Sequence, residues 1–363
     1  MHKRLLVVFT AVVAVVVWYV PCPAEEWPPL PSEDDTAILP AQEWSYKPGP
    51  RTVKVYVYYP GGTMDGVGPE TGLMLNLHNW GGTGHTGACD PGYLSREFNV
   101  IAISVDYLQS GKWKESDGPY DFGYYQGLDA LRGLWWVYDG LQKAGKAFDR
   151  SRIFATGGSG GGNVTLMVNK LAPRTFTCAV DMCGMGKLSD AMAYGDAPRT
   201  RLGAGYSRDP DSPNYLSPAA QAIRFPGHPA HCTTMKRLGN TCTMVIVHGT
   251  QDASCPVDDA RELAANMQAA GLAVEPHFIT ADDIDGTAVK TTGHALGDRT
   301  LIVNRFAGEY LRPDSGGKRT RPGKCDFELR DEAVRYEVPG GVYVISYRDG
   351  YPVGRFEGEE AKK

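Results

Sequence analysis

Arg152-Ile153-Phe154-Ala155-Thr156 runs directly into Gly157-Gly158-Ser159-Gly160-Gly161, and Gly162–Leu171 follows as an apolar stretch without proline. The first five residues read as a buried strand and the last ten as a helix, so the glycine-rich five between them make a sharp strand-to-helix turn. Such a turn forces strained backbone angles, which small neighbours tolerate best. The G-x-S-x-G spacing lifts one serine oxygen out of the sheet and sets it at a helix start, where negative charge is stabilised. A phosphate loop is the rival reading, and it lacks the Gly-Lys-Ser/Thr ending that such loops carry. Ser159 is therefore the candidate nucleophile.

Strands and helices alternate outward from this turn. Thr52–Tyr59, Leu73–Leu77, Val100–Val105, Thr177–Met182, Thr243–Val247 and Val274–Ile279 read as strands, and Asp121–Ala144, Asp258–Ala270 and Leu296–Leu311 as helices. This order predicts an α/β fold with a mainly parallel sheet and helices on both faces. Gly184–Arg237 breaks the rhythm. It is long, polar and rich in Pro, Gly and Tyr, so it is expected as a cap-like insertion over the C-terminal edge of the sheet. Phe327–Leu329, Ala333–Val338 and Val342–Tyr347 read as short strands of a small C-terminal β appendage. The expected plan is a signal peptide at 1–24, an extended segment at 25–50, a catalytic domain at 51–312 containing the insertion at 184–237, and a C-terminal β extension at 313–363.

A neutral serine hydroxyl needs a base, and in this arrangement the chain order is Ser, acid, His. Five histidines follow Ser159: His228, His231, His248, His277 and His294. His294 lies in a loop after the last strand and before the last helix, where a base hangs over the serine. His248 ends a buried strand, His277 is inside one, and His228 and His231 belong to the insertion. Asp252, in the turn after Thr243–Val247, is placed to orient the imidazole and stabilise its cation. Asp258 and Asp259 read as helix-start charges, and Asp282, Asp283 and Asp285 as the rival acids. The oxyanion needs two backbone donors. One is the N–H of Gly160; the other comes from His78-Asn79-Trp80-Gly81-Gly82, with Trp80 the choice and Asn79 or Gly81 behind it. The Trp80 ring and Asn79 are also the candidate substrate contacts.

The chain has 363 residues, 42% hydrophobic and 22% charged, which describes an ordinary globular protein. His2, Lys3 and Arg4 precede an apolar run from Leu5 to Val20, and Pro21-Cys22-Pro23-Ala24 closes it. This pattern reads as a secretory signal peptide cut near Ala24; an uncleaved anchor is the alternative. Net charge is −5, and −7 without the leader, whose only charged residues are Lys3 and Arg4. No basic footprint for nucleic acid is present. Secretion makes disulfides plausible. Seven cysteines remain beyond the leader, an odd number, and Cys232 and Cys242, flanking a polar loop, are the expected pair. No CxxC or paired Cys/His spacing points to a metal, and no cofactor is implied.

From about Thr52 to Leu311 the chain resembles the prolyl-oligopeptidase-like and esterase branch of the α/β-hydrolase superfamily. The residues that carry the resemblance are HNWGG at 78–82, GGSGG at 157–161, HGTQD at 248–252 and GHA at 293–295. Asn79 departs from the usual H-G-x-G pattern, and the segment before the first strand is too short for the propeller of true prolyl oligopeptidases. Secreted relatives of this size include feruloyl and acetyl-xylan esterases and polyester depolymerases. The resemblance implies a secreted or periplasmic serine hydrolase, a carboxylesterase acting through an acyl-enzyme on Ser159. Its partner would be a small or polymer-linked ester, with no nucleic acid and no membrane span after leader cleavage. A peptidase of the same branch and a non-catalytic binding protein on the same fold are the alternatives.

Overall fold

The computed structural model describes residues 27–112, 117–195, 200, 202–317 and 320–358. The expected leader at 1–24, with Cys22, lies outside them. The strands are β1 (Asp35–Ala41), β2 (Arg51–Tyr58), β3 (Gly72–Leu77), β4 (Val100–Asp106), β5 (Ile153–Gly158), β6 (Cys178–Met182), β7 (Thr243–Gly249), β8 (Val274–Ile279), β9 (Ala333–Val338), β10 (Gly341–Ser346) and β11 (Val353–Gly358). The helices are α1 (Pro91–Phe98), α2 (Tyr124–Lys143), α3 (Gly160–Leu171), α4 (Asp190–Tyr194), α5 (Pro218–Ile223), α6 (Pro229–Arg237), α7 (Val257–Ala269) and α8 (Arg299–Leu311).

An 8-stranded sheet runs in the order β1-β2-β4-β3-β5-β6-β7-β8. From β4 to β8 the neighbours are parallel, and β1 and β2 add an antiparallel edge. Alternation along the strands explains the two covered faces. Leu73, Leu75, Leu77, Ile101 and Ile103 point into one core with α2 and α3, while Met74, Val100 and Ala102 point into the other with α1 and α8. β3 and β5 are therefore buried along their whole length, as central strands of such sheets are.

Three elements depart from the sequence reading. The segment expected as extended at 25–50 contains β1, paired from Asp35↔Val57 to Ala41↔Arg51; Pro40 sits there without penalty because the strand is at the sheet edge. α1 was not foreseen, although Asp90 caps it by accepting from the Tyr93 N–H and Pro91 opens it. Phe327–Leu329 is not a strand: Asp326–Glu328 is a single 3₁₀ turn, and the third appendage strand is β11. Three apolar or β-prone residues are too few to distinguish a strand from a turn that buries Phe327.

The expected Cys232–Cys242 disulfide is not formed. All seven cysteines among the described residues are free and buried. Cys232 sits in the first turn of α6 and its thiol points to the Pro226 carbonyl; Cys242 follows the helix and points to the Thr243 carbonyl. The helix between them carries the chain away before it returns, so closeness in sequence does not become a bond.

The insertion supplies α4, α5 and α6. Its apolar residues Met185, Leu188, Met192, Tyr206 and Leu216 form a third core with Trp80, Tyr120, Phe122 and Cys255. It therefore packs against the loop after β3, at the edge where the candidate serine emerges.

Candidate active site

Ser159 stands between β5 and α3 with φ 58° and ψ −120°, a left-handed conformation rare for a residue with a side chain. Such a conformation costs on the order of 1–3 kcal/mol and persists only where surroundings over-determine it. The Ser159 N–H donates to the Met182 carbonyl on β6 at 2.9 Å, and its carbonyl accepts from Asn163 N–H at 3.1 Å, closing the first turn of α3. The serine is thus pinned at the positive end of a 12-residue helix.

His294 bridges two residues from distant parts of the chain. Its Nε2 lies 2.9 Å from Ser159 Oγ and its Nδ1 lies 2.8 Å from Asp252 Oδ2. Asp252 is held in turn by its other oxygen, which accepts from Ser254 N–H at 2.8 Å and Cys255 N–H at 2.9 Å. Burial pushes the Asp252 carboxyl up, but the His294 contact and the two backbone donors outweigh it and hold the group below its usual value. It is a carboxylate at neutral pH, as an orienting acid must be. The loops carrying the two residues are tied together: Gln251 N–H donates to the Thr292 carbonyl at 2.9 Å, and the Thr292 hydroxyl to Gln251 Oε1 at 2.9 Å. Gly249 permits this crossing, because a Cβ there would lie 2.2 Å from the Thr292 carbonyl oxygen.

The loop after β3 meets the serine from the other side. A Cβ on Gly160 would lie 2.6 Å from the Trp80 backbone nitrogen, so the backbone of residue 160 and the Trp80 N–H are immediate neighbours. The two backbone donors expected for a tetrahedral oxyanion thus lie on adjacent stretches of backbone. His78 braces this loop: Nδ1 is 2.7 Å from the Asn79 carbonyl, Nε2 is 2.6 Å from Ser110 Oγ, and the ring stacks on Tyr107 at 4.0 Å.

Other sequence candidates fall differently. The Trp80 ring is buried and stacks on Tyr120 at 3.7 Å, so its outer face is backed by protein. Asn79 is taken up by its own loop: Cβ atoms on Gly82 and Gly87 would fall 2.6 and 2.7 Å from its amide. Its side chain packs within the loop that these two glycines close around it. Asp283 accepts from Thr280, and Asp285 from Thr287, Val289 and Arg305, away from His294. His277 packs on Phe306, and His228 and His231 stack on each other with His231 against the Glu337 carbonyl of the appendage.

Four residues join the site that sequence spacing did not single out. His248 Nε2 is 2.9 Å from the Cys255 carbonyl and 3.5 Å from Asp252 Oδ2, and burial lowers its pKa and keeps the ring neutral. Cys183 and Cys255 flank Asp252. Asp181, at the end of β6, is buried with its carboxyl pushed up to about 7 by desolvation, and the Asp252 charge adds to the rise. The only signal in the sequence was position: each ends a strand or follows the Asp252 turn.

Residues 131–286 match the prolyl oligopeptidase family, a span that includes Ser159 and Asp252 and ends before His294. No curated protein matches the chain. Among solved structures, the uncomplexed acylaminoacyl peptidase of Pyrococcus horikoshii is similar at 14% identity and TM-score 0.53, over 79% of this chain and 43% of that one. An acylaminoacyl peptidase in complex with Z-Gly-Gly-Phe-chloromethyl ketone is similar at 15% identity and TM-score 0.50, over 76% of this chain and 40% of that one. The chain thus spans less than half the length of these structures, and at such identities the likeness is one of fold.

Proposed function

From an α/β-hydrolase fold with a prolyl oligopeptidase family domain at residues 131–286, we propose that this serine hydrolase cleaves carboxylic esters through an acyl-enzyme on Ser159. One observation carries the reading: His294 lies 2.9 Å from Ser159 Oγ on one side and 2.8 Å from Asp252 on the other. His294 Nε2 takes the serine proton as Oγ attacks the carbonyl carbon. Asp252 holds the Nδ1–H and stabilises the imidazolium, and the N–H groups of Gly160 and Trp80 receive the oxyanion. Collapse expels the leaving group with the proton from His294, and water repeats the sequence to free the acid.

The choice of ester rests on the insertion. An aminopeptidase needs an enclosed acid for the substrate amine, and Asp190, Asp209 and Asp211 are exposed; Asp196 lies outside the described residues. The family match supports the second reading, a peptidase, which uses the same residues and the same steps. We also propose export from the cytoplasm, on the strength of the basic and apolar leader; among the described residues no helix is long and apolar enough to cross a membrane. A fluorophosphonate probe tests the nucleophile: labelling is expected at Ser159 in folded protein, and its absence would sink both enzyme readings. A panel of p-nitrophenyl esters, methyl ferulate and aminoacyl-nitroanilides then separates them, and exclusive cleavage of the anilides would replace the ester reading with the peptidase. N-terminal sequencing of protein exported from its host is expected to start near Glu25.

A further inference from the structure

The triad acid has soft ligands around it. Cys255, Asp252 and His294 each offer one atom, all within 4.8 Å of one another, and Cys183, His248 and Asp252 form a second such group that shares the carboxylate. We propose that Asp252, Cys255 and His294 form a binding site for a thiophilic divalent cation such as zinc or cadmium, and that its occupancy switches the hydrolase off. Three atoms no more than 4.8 Å apart share a centre within about 2.8 Å of each, and zinc bonds nitrogen, oxygen and sulfur at ~2.0–2.3 Å, so movements of about half an ångström close the site.

The donor set is mixed thiolate, imidazole and carboxylate, the chemistry that selects zinc and its heavier relatives over calcium or magnesium. Access runs along His294, whose side chain keeps 28% of its surface open while that of Asp252 is fully covered. The cation takes the Cys255 sulfur as thiolate, so binding releases the thiol proton. Inhibition follows from the tautomer. A cation on Nδ1 leaves the proton of the neutral imidazole on Nε2, and that nitrogen no longer accepts a proton from Ser159.

The inference rests on the triad reading for its consequence, but its ligands are tested without turnover. Full-length Ser159→Ala protein titrated with cadmium is expected to develop the ultraviolet cadmium–thiolate charge-transfer band with one thiolate per chain, and zinc is expected to compete it away. Cys255→Ala, with Cys255→Ser as the variant that keeps the volume, should lose the band. In Ser159-containing protein, the same change should raise the half-inhibiting cadmium concentration, relative to each variant's own activity, by at least the ~tenfold that even an outer-sphere partner contributes. Cys183→Ala should retain both. No band, a band that survives in Cys255→Ala and Cys255→Ser, or inhibition relieved by Cys183→Ala alone would overturn the assignment. Should Ser159 prove inert to the fluorophosphonate probe, the band still decides whether the ligands are these three.

Discussion

Ser159 holds a conformation that only its surroundings can maintain, and those surroundings present it to His294. Because nucleophile, base and acid act through one proton path, their removal should not add. Ser159→Ala, His294→Ala and Asp252→Asn are each expected to lower kcat on the order of 10⁴-fold or more, with the triple variant no worse than the worst single one. Steady-state rates on an ester checked against thermal melts decide this; near-normal turnover in Asp252→Asn would return the acid to the Asp282–Asp285 loop. Asp181 carries a different expectation. Its carboxyl is pushed up to about 7 in the fold by burial, against ~3.9 in an unfolded chain. The folded state then binds the proton more tightly, so this residue's contribution to stability falls as pH rises between about 4 and about 7 and is flat above that. Asp181→Asn should therefore raise Tm at pH 8 and leave it unchanged at pH 4. Equal gains at both pH values would show that the raised pKa is not the cause.

The nucleophile helix α3 depends on the appendage at its far end. A helix leaves its last carbonyls without partners. Here the Tyr336 hydroxyl, on β9, donates to the Lys170 carbonyl, and the Tyr347 hydroxyl, just after β10, donates to the Leu171 carbonyl at 3.0 Å. Both tyrosines are completely buried. The appendage is thus the cap of the helix that carries Ser159 at its other end. Tyr347→Phe is expected to cost about 1 kcal/mol of stability, the usual net worth of one such bond. It should leave kcat unchanged, and denaturant melts beside rates check it. That a strand pair existed at 333–347 was legible from β-branched and aromatic alternation. That it closes the end of a helix 166 and 176 residues earlier was not, because hydroxyl partners depend on where the sheet docks.

Across the whole molecule the C-terminal appendage shares one core with the eight-stranded sheet and its helices. Cys325, Phe327, Val334, Tyr336, Ile345 and Tyr347 belong to the same core as β3, α2 and α3. Asp326 accepts from the Arg174 backbone at 2.8 Å, the Arg174 side chain at 2.9 Å and the Thr175 hydroxyl at 2.9 Å, just beyond α3. With every cysteine of the described residues free and buried, none of this depends on disulfides. Adding a reductant is therefore expected to leave Tm unchanged, and a drop of several degrees would reveal a cross-link. The expectation of secretion and the short polar loop between Cys232 and Cys242 suggested otherwise, because sequence reports the number and spacing of thiols and not their separation in the fold.

The sequence by itself determined the elbow, the alternation of strands and helices around it, and the two residues, His294 and Asp252, that meet Ser159, since each sits in a turn whose place in the alternation dictates where it emerges. Local spacing suffices there: a strand end in a parallel sheet always delivers its next residue to the same edge. Only the tertiary structure decided what surrounds them. Asn79 turned into its own loop because Gly82 and Gly87 close around it, Trp80 found Tyr120 through the insertion, and Cys183, His248 and Cys255 gathered about Asp252. Those neighbours come from different strand ends and from packing at distances of a few ångströms, which no spacing along the chain encodes.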